Sequence, residues 1–254
     1  NRITGNGAAN MLVGGGEDDR LYGLGGDDSL FGGLGDDRLY GEDGIDELDA
    51  GSGYDELCGG AGNDALGGGA HNDRLDGGTG ADMMTGGNGH DTYVVDNYGD
   101  VVVEASREGN DKVESGIGFY RLPIHVEQLI LTGSFSLDGF GNGLDNRLFG
   151  NSGRNLLNGL GGDDRIDGGA GNDSLYGHTG DDTLIGGAGH DRFLFNTAPG
   201  AGNVDRILDH TVGEDVIYLA RYIFGGLGMP EVPLGAGAFQ LGASALEADD
   251  RILY

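Results

Sequence analysis

The sequence predicts an all-β solenoid, in which coils made of two successive repeats stack and carry two parallel sheets over a thin apolar core. Three observations predict it. Apolar residues return every nine positions, an aspartate stands two residues before almost every one, and glycine fills most of the rest.

The apolar series is Leu12, Leu21, Leu30, Leu39, Leu48, Leu57, Leu66, Leu75, Met84 and Tyr93, and Ile3 extends it backward. The paired acids are Asp19, Asp28, Asp37, Asp46, Asp55, Asp64, Asp73, Asp82 and Asp91. A second array repeats the pattern with Leu148, Leu157, Ile166, Leu175, Leu184 and Phe193, preceded by Asn146, Asn155, Asp164, Asp173, Asp182 and Asp191. A helix needs an apolar residue every three or four positions; here each nonapeptide offers one. The unit therefore divides into a glycine-rich turn of six residues and a strand of three, such as Ser174-Leu175-Tyr176. Neighbouring strand side chains point to opposite faces, so Leu175 goes inward and Ser174 and Tyr176 outward. Two units make one coil.

The composition says what this core lacks. Among 254 residues there are 57 glycines, 43 acids, 14 lysines and arginines and no tryptophan, for a net charge of -29. Such a chain repels itself when compact, and ordering its glycines costs extra entropy. It needs a cationic partner to fold. The sign of the charge argues against nucleic acid and anionic lipid as partners. No run approaches the roughly 18 apolar residues of a membrane span. Cys58 is the one cysteine, so no intrachain disulfide forms, and it reads as a free surface thiol. The start, NRITGNGAAN, has no basic-then-apolar leader and no initiator Met, and reads as an excised fragment.

The turns indicate the cation. Glycines permit left-handed backbone and leave carbonyls pointing into the loop. Loops of alternate repeats lie above one another, so carbonyls and carboxylates of two loops enclose a space. Calcium takes six or more oxygen ligands in flexible geometry, whereas magnesium demands a tight octahedron and zinc wants His and Cys. Aspartate and glycine are also ordinary turn formers. That reading suffices for one loop and fails for thirteen aspartates in phase, whose stacked carboxylates repel without a cation.

GGAGNDALG (59–67), GGAGNDSLY (168–176) and GGAGHDRFL (186–194) resemble the nonapeptide of the RTX, or hemolysin-type calcium-binding, family. The resemblance covers 14–94 and 141–194. It implies a right-handed parallel β-roll with calcium between loops two repeats apart, so that Asp173 works with Asp191, Asp64 with Asp82 and Asp55 with Asp73. Ligands implied by position are the aspartates of the two arrays together with turn glycines. These are Gly33, Gly35, Gly51, Gly53, Gly60, Gly62, Gly77, Gly78, Gly80, Gly87 and Gly89 in the first array. In the second they are Gly168, Gly169, Gly171, Gly186, Gly187 and Gly189. Pairing stacked loops gives roughly 8–11 ions. Ten would reduce the charge to about -9.

Departures from the motif are visible. Glu17 and His71 replace a turn glycine, and Ile45 and Tyr54 stand where Asn or Asp is common. Asn146 and Asn155 replace Asp, which weakens those sites and marks the start of the second block. Tyr22 and Tyr40 lie two repeats apart and are expected to stack on one outer face, with Phe31 opposite. A glycan or cell-surface partner for them is the less favoured reading.

Four regions follow: a first roll over 1–94, a spacer over 95–140, a second roll over 141–194 and a flanking, capping region over 195–254. In the spacer, 100–105, 111–115 and 126–133 read as strands, and the resemblance makes it the connector between two rolls. A solenoid end must be capped, and Val216, Ile217, Leu219, Ile223 and Phe224 are expected to supply the cap. Relatives continue beyond this point into a C-terminal type I secretion signal, so the end is expected to be cut.

No catalytic motif is found. The histidines at 71, 90, 125, 178, 190 and 210 lack helical spacing, and there is no G-x-S-x-G. His90 and His190 read as solvated turn residues. The expected function is therefore a non-enzymatic calcium-binding module, secreted by bacteria through a type I apparatus and folded by extracellular calcium. The alternatives are the carrier portion of a secreted protease, lipase or polysaccharide-modifying enzyme with its catalytic domain upstream, or a calcium-dependent adhesin or membrane-active protein.

Overall fold

A computed structural model describes residues 1–198, 200, 202–220 and 252–253. All their regular structure is strand, and among them no helix is long and apolar enough to cross a membrane. The chain forms two compact units. The first holds Asn1–Ile117 with Pro123–Val126, and the second holds Gly118–Leu122 with Glu127–Tyr254.

In the first unit, odd-numbered strands form one parallel sheet: β1 (Arg2–Asn6), β3 (Arg20–Gly25), β5 (Arg38–Asp43), β7 (Glu56–Ala61), β9 (Arg74–Thr79), β11 (Thr92–Val95) and β13 (Lys112–Ser115). Even-numbered strands form the other: β2 (Met11–Gly16), β4 (Ser29–Leu34), β6 (Glu47–Ser52), β8 (Ala65–Ala70), β10 (Met83–Asn88) and β12 (Val101–Val103). The expected coil is thus present, alternating between two sheets. Its register is fixed at two repeats, as in Leu21↔Leu39↔Leu57 and Leu30↔Leu48↔Leu66.

The second unit repeats this. One sheet is β15 (Gln128–Leu131), β17 (Arg147–Phe149), β19 (Arg165–Asp167), β21 (Thr183–Ile185) and β23 (Arg206–Ile207), which also pairs antiparallel with β25 (Ile252–Leu253). The other is β14 (Phe119–Arg121), β16 (Asp138–Phe140), β18 (Leu156–Gly161), β20 (Ser174–Thr179), β22 (Arg192–Phe195) and β24 (Val216–Leu219).

The core is the predicted column of inward residues. Leu21, Leu30, Leu39, Leu57, Leu75, Met84, Tyr93, Leu148, Leu157, Ile166, Leu175, Leu184 and Phe193 are fully buried, while Ile3 is half-buried. Tyr22 and Tyr40 stack as expected, 5.0 Å apart and 12° from parallel, with the Arg2 guanidinium 4.9 Å from the Tyr22 ring. Phe31 lies on β4, in the opposite sheet.

Three expectations need correction or qualification. Many strands are six residues long rather than three, because coil-to-coil pairing continues past the apolar triplet into the glycines, as in Gly15↔Gly33 and Gly16↔Leu34. Ser174, on the outward face of β20 beside the inward Leu175, is nonetheless buried. Residues 119–121 and 138–140 add β14 and β16, which their short, unpatterned sequences did not signal. Of the residues expected to cap, Ile217 is buried on β24 and Val216 and Leu219 are half-buried there. Ile223 and Phe224 lie outside the described residues.

Candidate metal centres

The turn begins where the apolar strand residue gives way to glycine. Gly59, first in GGAGNDALG, is an inward strand position with no side chain. A Cβ built there would lie 2.4 Å from Oδ2 of Asp64 and 2.6 Å from the carbonyl oxygen of Gly77. A carboxylate from its own repeat and a carbonyl from the coil above thus converge on the space left by glycine. The same pair meets over Gly168, where Asp173 Oδ2 and Gly186 O each lie 2.6 Å from that point. Over Gly150 and Gly141 the partners are Asn155 with Gly168 O and Asn146 with Gly159 O.

The other carboxylate oxygen is occupied. Asp46 N–H donates to Asp64 Oδ1 at 2.8 Å, and Asp64 N–H donates to Asp82 Oδ1 at 2.8 Å. The ladder continues through Asp19, Asp37, Asp55, Asp73 and Asp91 along one set of loops and Asp28 and Asp46 along the other. In the second unit Asp164 N–H donates to Asp182 and Asp173 N–H to Asp191. The three pairs expected to work together, Asp173–Asp191, Asp64–Asp82 and Asp55–Asp73, are each joined this way.

That leaves Oδ2. In all thirteen expected aspartates it is buried with no hydrogen-bond partner. Burial pushes the carboxyls up: Asp73 and Asp164 to about 8, Asp173 to about 7, and Asp55, Asp64 and Asp91 to about 6. Neighbouring carboxylates, such as Asp55 and Asp91 around Asp73, push the same way. A column of buried acceptors with no donors must either take protons or take cations. Carboxylate and carbonyl oxygens are hard donors, which suits calcium.

The expected glycine ligands separate into two groups. Gly77, Gly168 and Gly186 offer the carbonyls that converge with a side-chain oxygen. Gly33, Gly51, Gly60, Gly78, Gly87, Gly169 and Gly187, second in their repeats, have positive φ, as do the fourth-position Gly35, Gly53, Gly62, Gly80, Gly89, Gly171 and Gly189. Gly62 shows why: a Cβ there would lie 1.5 Å from Gly44 O in the preceding coil. Glu17 and His71 adopt the same left-handed conformation without being glycine, at φ 68° and 83°.

Sequence reasoning missed three kinds of residue. First-position carbonyls such as Gly41 O, Ala50 O, Gly59 O and Gly86 O belong with Gly77. Asp100, Asp111, Asp205 and Asp215 extend the aspartate ladder at steps of 18, 20, 23 and 24, accepting from Asp82, Asp91, Asp182 and Asp191. The Gly109-Asn110-Asp111 string was the available signal for one of them, hidden by its broken step. Fifth-position residues form a second, outer ladder: Asp36 N–H donates to Asp18 Oδ1 at 3.0 Å and Tyr54 N–H to Asp36 Oδ1 at 2.9 Å. His90 and His190 are exposed, and their amides join this ladder through Asn72 and Asn172.

The family model of the RTX calcium-binding nonapeptide repeat matches the chain at residues 4–39, 31–66, 67–97, 140–175 and 158–193. No curated protein matches it.

Proposed function

The chain belongs to the RTX calcium-binding nonapeptide repeat family and is a calcium-binding module; from that premise we propose that calcium drives its folding, outside the cell, after export through a type I apparatus. The observation that carries this is the column of buried aspartate Oδ2 atoms without partners. In the absence of calcium, stacking the coils means desolvating these acids beside one another, in a chain of net charge -29. When bound, calcium supplies the positive charge that these acids require.

The chain's own residues do the rest. Asp64 spends Oδ1 on the Asp46 amide, which aims Oδ2 at the Gly77 carbonyl. Each site thus takes its carboxylate from one coil and its carbonyl from the next, so binding and stacking are one event. Where calcium is scarce the chain stays unfolded and can be threaded. Where it is plentiful the coils form. We propose no catalysis for these residues, because the paired carboxylates that an acid and base would require are committed to the loops. The Tyr22–Tyr40 stack is satisfied by its own geometry and by Arg2, which supports cross-strand packing rather than ligand capture.

Circular dichroism during a calcium titration from chelator tests the reading. The expected result is a cooperative rise of β-structure. Full β-structure in chelator, unchanged by calcium, would overturn it.

A further inference from the structure

Tyr93 is a tyrosine in a column of leucines, and it is fully buried. Its hydroxyl accepts the Gly86 N–H at 2.6 Å and donates to Oε1 of Glu104. A Cβ on Gly86 would lie 2.2 Å from that hydroxyl and 2.3 Å from Asp91 Oδ2. Over Gly59 and Gly168 the matching space is shared by a carboxylate and the carbonyl of the next coil. Here the tyrosine hydroxyl stands where the carbonyl would be.

Two more acids close on this point. Glu104 follows β12, is 7% exposed, and its Oε2 is buried without a hydrogen-bond donor. Asp91 is 1% exposed with Oδ2 in the same condition. The carboxylate of Asp111 joins them, and the ligand-capable oxygens of Asp91, Glu104 and Asp111 all lie within 4.8 Å of one another. A repeat loop brings one carboxylate oxygen and one carbonyl together; this place gathers three carboxylates.

We propose that Asp91, Glu104, Asp111 and the hydroxyl of Tyr93 form a calcium site at the end of the first array, built on the last in-phase aspartate and completed by groups outside the nonapeptide pattern. Three carboxylates within this distance and away from water repel strongly unless a divalent cation lies among them. The Tyr93 O–H points at Glu104 and the oxygen accepts the Gly86 N–H, so what it has left for the space over Gly86 is a lone pair rather than a hydrogen. All donors are oxygen, which matches calcium. The second array lacks the device, because Phe193 follows Asp191 where Tyr93 follows Asp91. The proposal rests on the calcium-binding reading of the repeats only for the identity of the ion. Its greater negative charge makes it tighter than a repeat site.

The competing account is that Glu104 is a neutral buried acid whose one task is its hydrogen bond to Tyr93. Glutamine mimics that state, so Glu104→Gln separates the two. Calcium bound per full-length chain is counted by native mass spectrometry and equilibrium dialysis at saturating calcium, with Asp28→Asn as a repeat-site comparison. The expected result is one ion fewer in E104Q, with β-structure at saturation retained. An unchanged ion count in E104Q overturns the proposal. Should E104Q fail to fold at saturation, Asp111→Asn, which keeps an acceptor for the Asp91 amide, decides on the same count: one fewer ion supports the site, and an equal count overturns it. A wild-type chain that binds no calcium would instead defeat the reading of the repeats.

Discussion

The backbone amide of Asp46 donates to Oδ1 of Asp64 at 2.8 Å, and the other oxygen of Asp64 meets no donor. One side chain thus holds two coils together and leaves an unmet charge at the junction. Replacing Asp64 with Asn keeps the first task, since the amide oxygen still accepts from Asp46, and its NH2 can donate to Gly77 O. Asp64→Asn is expected to make the chelated chain more structured, by about 1–3 kcal/mol for satisfying a buried polar atom. It is also expected to raise the calcium concentration needed for folding several-fold. Circular dichroism with and without calcium measures both.

Acid should substitute in part for calcium. Folding raises Asp73 and Asp164 from the ordinary 3.8 to about 8, and Asp55, Asp64 and Asp91 to about 6, chiefly through burial. Between those values the folded, metal-free chain binds more protons than the unfolded one, so its stability falls as pH rises from about 4 to about 8. In chelator the β-signal is expected to be greater at pH 5 than at pH 8. Calcium affinity is expected to fall over the same range on acidification, because protons compete for the carboxylates. A chelated chain that loses structure on going from pH 8 to pH 5 would contradict the sign.

A methyl group should close a repeat site. Gly168 has no left-handed φ, so Ala is free of backbone strain there, yet its Cβ would fall 2.6 Å from both Asp173 Oδ2 and Gly186 O. Gly168→Ala is expected to bind one calcium fewer per chain at saturation by equilibrium dialysis. The chain already carries the converse case: buried Ala50 is first in the repeat of Asp55. Ala50→Gly is expected to lower the calcium midpoint.

The outer ladder is open to repair. Ile45 donates its amide to Asp27 at 3.0 Å, but its own exposed hydrocarbon side chain cannot accept from the coil that follows. Ile45→Asn supplies an acceptor for the amide of Asn63 without adding charge. A gain of about 0.5–1.5 kcal/mol, the net value of one hydrogen bond, is expected as a higher melting temperature in saturating calcium, with the ion count unchanged.

Much of this was legible in the sequence. The nine-residue step located the core from Leu21 to Phe193, and its doubling gave the register and the Tyr22–Tyr40 stack. The phased aspartates are where the unmet oxygens lie. Strand length was not legible, since glycines such as Gly15 and Gly33 have little strand propensity and pair only because another coil lies two repeats away. Nor was the choice of carbonyl, because backbone orientation leaves no mark on residue type: Gly59 and Gly60 are both glycine and face different neighbours. Asp111 was hidden by arithmetic, as its loop is longer than the period that revealed the others. Tyr93 was read correctly as core, but its hydroxyl has a task that an apolar column does not announce.

The two ladders run in opposite senses. In the inner one an earlier amide reaches a later carboxylate, as from Asp19 to Asp37; in the outer one a later amide reaches an earlier side chain, as from Asp36 to Asp18. A severed stack would therefore have unlike ends, each matched to the other, as in a filament that grows head to tail. The inner donors at the later end are met by the chain itself, Asp91 by Asp111 and Asp191 by Asp215. Those out-of-step aspartates carry the inner ladder's polarity past the last regular repeat, so the direction of the stack outlasts the period that built it.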